Sequence, residues 1–178
     1  MIKFLKTNSF AVKSPKGNPG KDAGIDFFVP ELTPEFQAVL KSENPTAQIS
    51  VDEKTGEGSI VLAPHSDILI NSGIYTRFDK NIAFIGFNKS GIATKKKLVV
   101  GACVDDTSYE GLLHLHVINT SDKEQAIKFG EKLVQFVPVL IDCSGFEVAH
   151  EDEVSLEEFF KDHNTDRGSA GFGSTGLK

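Results

Sequence analysis

The chain has 178 residues and a formal net charge of -6, with 39% hydrophobic and 25% charged residues. That length suits one ordinary domain, and the balance is that of a folded globular protein rather than a disordered or fibrous one. An acidic balance disfavours general binding to nucleic acid, which depends on neutralising phosphates, and no apolar run approaches the roughly 20 residues of a membrane span. Cys103 and Cys143, the only cysteines, exclude a disulfide-dense scaffold and a four-cysteine zinc site. They are expected to be buried thiols. The apolar start of the chain gives way at Lys6, too early for the core of a secretory signal. A reducing, cytoplasmic setting is therefore expected.

In chain order, the first predicted strands cover 2–5 and 25–29. A short helix follows over 34–41, with Thr33 as N-cap and Pro34 at its first position. Residues 41–58 are polar, with Pro and Gly, and read as a long loop or small hairpin inside an insertion near 31–58. Further strands are predicted over 59–62, 68–70, 74–77, 82–87, 98–100, 112–119, 125–128 and 133–140. All are short, β-branched or aromatic, and bounded by Gly, Pro, Asn or Asp. Residues 144–162 read as a second, acidic insertion, with a helical turn over 155–161 begun by the capping-box pair Ser155 and Glu158. The β domain is expected to run over 1–162, with 163–178 as a C-terminal arm. Many strands with so little helix between them predict an antiparallel sandwich, jelly roll or barrel.

Four segments could carry chemistry. The arm reads RGSAGFGSTG over 167–176. It matches G-x-G-x-x-G formally, but that fingerprint needs a strand before it and a helix after it, a context not expected here. It suits a phosphate clamp better. Gly171 and Gly173 let backbone N–H groups approach an anion, Ser174 and Thr175 add hydroxyls, and Arg167 adds a charged fork. Phe172 is placed to close over a base. Only Arg77 and Arg167 among the 19 cationic residues are arginine. The second segment, NKSGIA over 88–93, sets Lys89, Ser90 and Gly91 together as a compact anion nest, without the first glycine of a P-loop. The third, GACVDDTSYEG over 101–111, predicts a hairpin in which Asp105 or Asp106 could deprotonate a water. The fourth is Asp26, an acid in an apolar strand start that needs a partner. Arg167, from the same chain or a neighbour, is the expected one. His114 and His116 alternate on one strand with no acid at ligand spacing, so His116 is expected to serve strand packing or an axis between subunits.

Taken in order, AGIDFF (23–28), NKSGIA (88–93), GACVDDTSYEG (101–111), GEKLVQF (130–136) and RGSAGFGSTG (167–176) resemble the ordered motifs of the trimeric dUTP pyrophosphatase (dUTPase) family. The resemblance spans nearly the whole chain. It implies a β jelly roll and a homotrimer with sites shared between subunits. It also implies hydrolysis of dUTP to dUMP and pyrophosphate with Mg²⁺, the ion being carried by the triphosphate rather than by a protein cage. By position, Asp106 matches the water-activating aspartate and Tyr109 the ring that packs on deoxyribose. The backbone around Val104 and Asp105, with that near His114, would read the uracil edge. Lys89, Ser90, Gly91 and Gln135 match phosphate-site positions, and Asp26 supports them. Arg167, Ser174 and Thr175 would grip the γ-phosphate, with Phe172 and Gly173 closing over the base.

This chain departs from the family at several of these positions. Lys89 and Lys132 stand where the family usually has arginine, which keeps the charge and loses the bidentate fork. Asp105 stands where Ile or Val is usual and sets a like charge beside Asp106, a pairing that raises the pKa of one carboxyl when both are close and buried. A related deaminase of dCTP carries a glutamate ten residues after the aspartate and an arginine four after the motif-two serine. Here those positions are His116 and Thr94. A regulatory protein that uses the fold and binds a partner through the insertions is the other alternative.

Overall fold

Residues 1–142, 144–145 and 147–162 are described by the computed structural model. The chain forms two units, 1–142 and 143–178. The first unit carries eleven strands and one helix: β1 (Lys3–Lys6), β2 (Ile25–Phe28), α1 (Pro34–Glu43), β3 (Gln48–Val51), β4 (Gly58–Leu62), β5 (Asp67–Arg77), β6 (Ile82–Asn88), β7 (Leu98–Val100), β8 (Val104–Asp105), β9 (Leu112–Asn119), β10 (Gln125–Lys128) and β11 (Lys132–Leu140). A single π turn, Ile92–Lys96, links β6 to β7. In the second unit, α2 (Leu156–Phe159) is one turn long, and Ser155 caps it by accepting from the Glu158 N–H at 3.2 Å.

The strands form three antiparallel sheets, ordered β1-β5-β9-β7, β10-β4-β3 and β2-β11-β6-β8. The all-β expectation holds. The polar segment 41–58 proves to be a hairpin, β3 against β4, with the Asp52 carboxylate accepting from the N–H groups of Lys54 and Thr55 in the turn. The strands expected over 68–70 and 74–77 are one strand, β5, broken by a bulge between Asn71 and Tyr75. Gly73 takes a φ of 71° there, a region that L side chains avoid. Asn71 and Ser72 are buried at the bulge, and their side-chain oxygens accept from the N–H groups of Gly73 and Ile74.

Phenylalanines from three neighbouring strands build the core. Phe27 on β2, Phe136 on β11 and Phe84 on β6 are almost fully buried, with ring centroids 5.1 Å apart for Phe27–Phe136 and for Phe84–Phe136. The strand order β2-β11-β6 sets them side by side, where edge-to-face and tilted pairs add to the gain from burial. Helix α1 is anchored by Phe36 and Leu40, both 0% exposed. Thr33 accepts from the Phe36 N–H at 3.2 Å, the cap its sequence predicts.

A second bulge, between Lys132 and Val134 on β11, matters for function. Leu133 and Val134 are consecutive and both buried, while Lys132 and Gln135 on either side are half-buried. In a regular strand, residues three apart face opposite ways. The extra residue turns Lys132 and Gln135 to the same face.

Candidate active site

Two clusters of the expected site residues lie in the first unit. The first is centred on Asp26 of β2. Its side chain is 17% exposed and forms ion pairs with Lys89 Nζ through Oδ1 and with Lys132 Nζ through Oδ2, the latter at 2.8 Å. Burial raises the Asp26 carboxyl, but the hydrogen bonds and charges of Lys132 and Lys89 outweigh it and hold it below its ordinary value. These are the partners of Asp26 among the described residues. The β11 bulge brings Lys132 to the acid and the end of β6 brings Lys89, while the expected partner Arg167 lies outside the described residues. Phe172, Gly173, Ser174 and Thr175 lie outside them as well.

Around this acid the backbone is held by side chains. Gln135 lies opposite Asp26 in the ladder and donates from Nε2 to the Asn88 carbonyl at 2.9 Å. Asn88 accepts from the Val100 N–H at 2.6 Å. A Cβ on Gly24 would stand 2.8 Å from Gln135 Oε1, so a larger residue there would displace the Gln135 amide. Ser90 and Gly91 lead into the π turn, and the Ser90 carbonyl accepts from the Thr94 hydroxyl. The cluster carries one half-buried negative charge and two positive ones, an arrangement that leaves a surplus for an anion.

The second cluster is the hairpin between β8 and β9. Asp105 is 3% exposed and Asp106 is exposed, as alternation along a strand requires. Their electrostatics diverge. Burial pushes the Asp105 carboxyl up, against a hydrogen bond from the Thr76 hydroxyl and with the help of the Asp106 charge. Its Oδ1 is buried with no hydrogen-bond partner among the described residues. Asp106 is held below its ordinary value by the Ser108 hydroxyl, 2.6 Å from Oδ1, and by the Ser108 N–H at 2.9 Å. Both bonds fall on Oδ1, and the Tyr109 N–H adds to the lowering. An exposed, ionised carboxylate is able to take a proton from water. The like-charge effect expected from Asp105 is present, but burial is its larger cause.

Tyr109 covers Gly111 and donates from its hydroxyl to the Leu112 carbonyl at 3.1 Å. A cavity of about 160 Å³ sits in the hairpin, and Val104, Asp105, Tyr109 and His114 all line it. On the tip side, a wider cavity of about 750 Å³ is bounded by Asp106, Tyr109, Tyr75 and Arg77. His114 Nε2 lies 3.2 Å from a Glu43 oxygen on α1. His116 Nε2 lies 2.9 Å from Asp67, and its Nδ1 accepts from the Ala102 N–H at 2.7 Å. The acids that pair with these histidines come from other elements, which spacing on one strand does not reveal. Cys103 is half-buried rather than buried, and Cys143 lies outside the described residues. Among the described residues no three His, Cys, Asp or Glu side chains converge as a metal-binding group, and no helix is long and apolar enough to cross a membrane.

The two clusters sit at opposite ends of β6. Asp105 is paired with Phe84, and Lys89 follows the far end of the strand. Five residues of extended chain separate Phe84 from Lys89, roughly 17 Å at about 3.4 Å per residue. Sequence reasoning passed over Thr76 and the Ala102 contact of His116, and gave Asn88 no role of its own within the 88–93 motif. The signal for His116 was present in the alternation of His114 and His116, which puts both on one face of β9.

A family model described as dUTPase matches residues 57–176. A deoxyuridine 5'-triphosphate nucleotidohydrolase of Histophilus somni (strain 2336) is 29% identical over 161 residues, covering 89% of this chain and 99% of the relative. That of Acinetobacter baylyi is 35% identical over 124 residues, covering 67% of this chain and 75% of the relative. Among solved structures, the dUTPase of Staphylococcus bacteriophage 80alpha with dUPNHPP superposes with a TM-score of 0.67 at 18% identity, covering 99% of each chain. At that identity the likeness shows the fold.

Proposed function

The chain belongs to the dUTPase family, and from that premise we infer that the lysine-flanked cluster and the hairpin cluster are two parts of one hydrolytic site. The enzyme hydrolyses dUTP to dUMP and pyrophosphate. One observation carries the assignment of roles: Asp106, exposed and ionised, stands three residues before Tyr109 on a hairpin whose small cavity is lined by Val104, Asp105, Tyr109 and His114. The cavity suits a pyrimidine, read by backbone groups at Val104 and Asp105 and near His114. Tyr109 packs on the deoxyribose and leaves no room for a 2'-hydroxyl. Asp106 accepts a proton from the water that attacks the α-phosphorus.

The phosphates are gripped at the other cluster by Lys89, Ser90 and the Gly91 backbone, with Gln135 and Asp26 holding that surface in shape. A positioned base acts within about 3 Å, or through one water. The site is taken to combine the two clusters from neighbouring copies, as a homotrimer with shared sites implies. In the arm, Arg167, Ser174 and Thr175 take the γ-phosphate, and Phe172 and Gly173 close over the base and exclude water. The substrate is the magnesium complex of dUTP, the ion spreading the negative charge of the phosphates. The setting is cytoplasmic.

Release of pyrophosphate from dUTP, dCTP, dTTP and UTP with magnesium present tests this reading. Strong preference for dUTP is expected. Equal turnover of UTP would remove Tyr109 from its role, ammonia from dCTP would point to deamination, and an intact dUTP would overturn the assignment.

A further inference from the structure

His116 stands outside every role described so far, yet it touches the hairpin where the chain changes sheets. β7 pairs with β9 as far as Val100 opposite Val117, and the next bond, Gly101 N–H to the His116 carbonyl, continues that ladder at 3.0 Å. The chain then crosses to the other sheet. The Cys103 carbonyl accepts from Gly86 at 2.7 Å, and Val104 and Asp105 pair with Ile85 and Phe84. The crossing leaves the Ala102 N–H with no ladder partner. The His116 ring supplies one, with Nδ1 accepting at 2.7 Å. Because Ala102 is the donor, Nδ1 carries no proton and Nε2–H is the donor to Asp67 at 2.9 Å. Asp67 thereby holds both the tautomer and the ring plane. The ring lies against the backbone so closely that a Cβ on Gly101 would stand 2.3 Å from it.

The position of this contact gives it weight. Ala102 is three residues before Asp105 and four before Asp106. A slip of one residue at the crossover would exchange the two acids between the buried and exposed faces. We propose that His116 is a positioning residue: by taking the Ala102 amide at the crossover, it sets the phase in which Asp105 is buried and Asp106 reaches the water. It touches neither nucleotide nor water itself. The proposal rests on the hydrolytic reading of the hairpin only for its kinetic consequence, since the placement of the backbone can be measured without substrate.

Three variants of the full chain test it. Asn at 116 puts its Oδ1 where Nδ1 lies and keeps the acceptor. Gln keeps a donor for Asp67 but offers Ala102 nothing at the Nδ1 position. Leu keeps bulk alone. Amide hydrogen exchange over 102–106, measured without nucleotide, is expected to quicken at least about fivefold in His116→Gln and His116→Leu, as for one lost hydrogen bond, and to stay near wild type in His116→Asn. With dUTP, His116→Gln should lose kcat by about the same factor or more at nearly constant KM, and His116→Asn should restore it. Unchanged exchange in His116→Gln, or equal damage in His116→Asn, overturns the proposal. A wild-type chain that leaves dUTP intact while the exchange pattern holds would count against the hydrolytic reading and leave the positioning role supported.

Discussion

Replacing Asp105 by Asn isolates the charge that this chain places where the family usually has Ile or Val. The side chain is 3% exposed, accepts one hydrogen bond from Thr76, and leaves Oδ1 buried without a partner among the described residues. Asn keeps the shape and an acceptor for Thr76 and removes the charge. A buried, unsatisfied polar group costs about 1–3 kcal/mol, and more when charged. The sign follows from the raised folded pKa. The folded protein holds the Asp105 proton more tightly than the unfolded chain does. The stability this contributes is present in full below the ordinary carboxyl value of 3.8 and is lost as pH rises through the raised folded value. Asp105→Asn has no such loss. The variant should match wild type near pH 3.5 and exceed it by about 1–3 kcal/mol at pH 8, a rise in Tm of roughly 2–12 °C for a chain of this size. Calorimetric melts across that range measure it, at one protein concentration because assembly couples Tm to concentration. A variant less stable than wild type at pH 8, or a difference that does not change with pH, would refute the argument.

Asp106→Asn should cut kcat for dUTP at least about 100-fold, the low end for a positioned base, while its melt stays within about 1 °C because the side chain is exposed. Pyrophosphate release and calorimetry together check this. Phe136→Ala removes the ring that Phe27 and Phe84 both meet at 5.1 Å. It should cost about 3–5 kcal/mol in urea unfolding, and a loss under about 1 kcal/mol would show that the trio is not the centre of the core. Phe172→Ala should raise KM for dUTP severalfold and leave the melt unchanged, and identical kinetics would remove Phe172 from the closing role.

Local chemistry made much of this protein legible from residue order. The alternation from Leu113 to Val117 announced a strand because one buried face demands it, and the β-branched and aromatic run over 133–140 announced another. Thr33 and Ser155 announced helix starts because a side-chain oxygen satisfies an N–H that the helix leaves open. Asp106 and Tyr109 fell within one short stretch of hairpin, so their association was visible as well. The bulges at Gly73 and Leu133 could not be read that way. They depend on which strand lies alongside, and nothing local says that an extra residue will turn Lys132 towards Asp26. The same holds for Thr76 beneath Asp105, for Asp67 behind His116, and for the Ala102 amide in front of it. Each joins segments far apart in the chain, and such partners are chosen by how the sheets pack. Composition and spacing determined the kinds of element and the chemical groups on offer. Only the packed sheets decided which carboxylate is buried and which meets water, because register and desolvation are properties of neighbours and not of residue order.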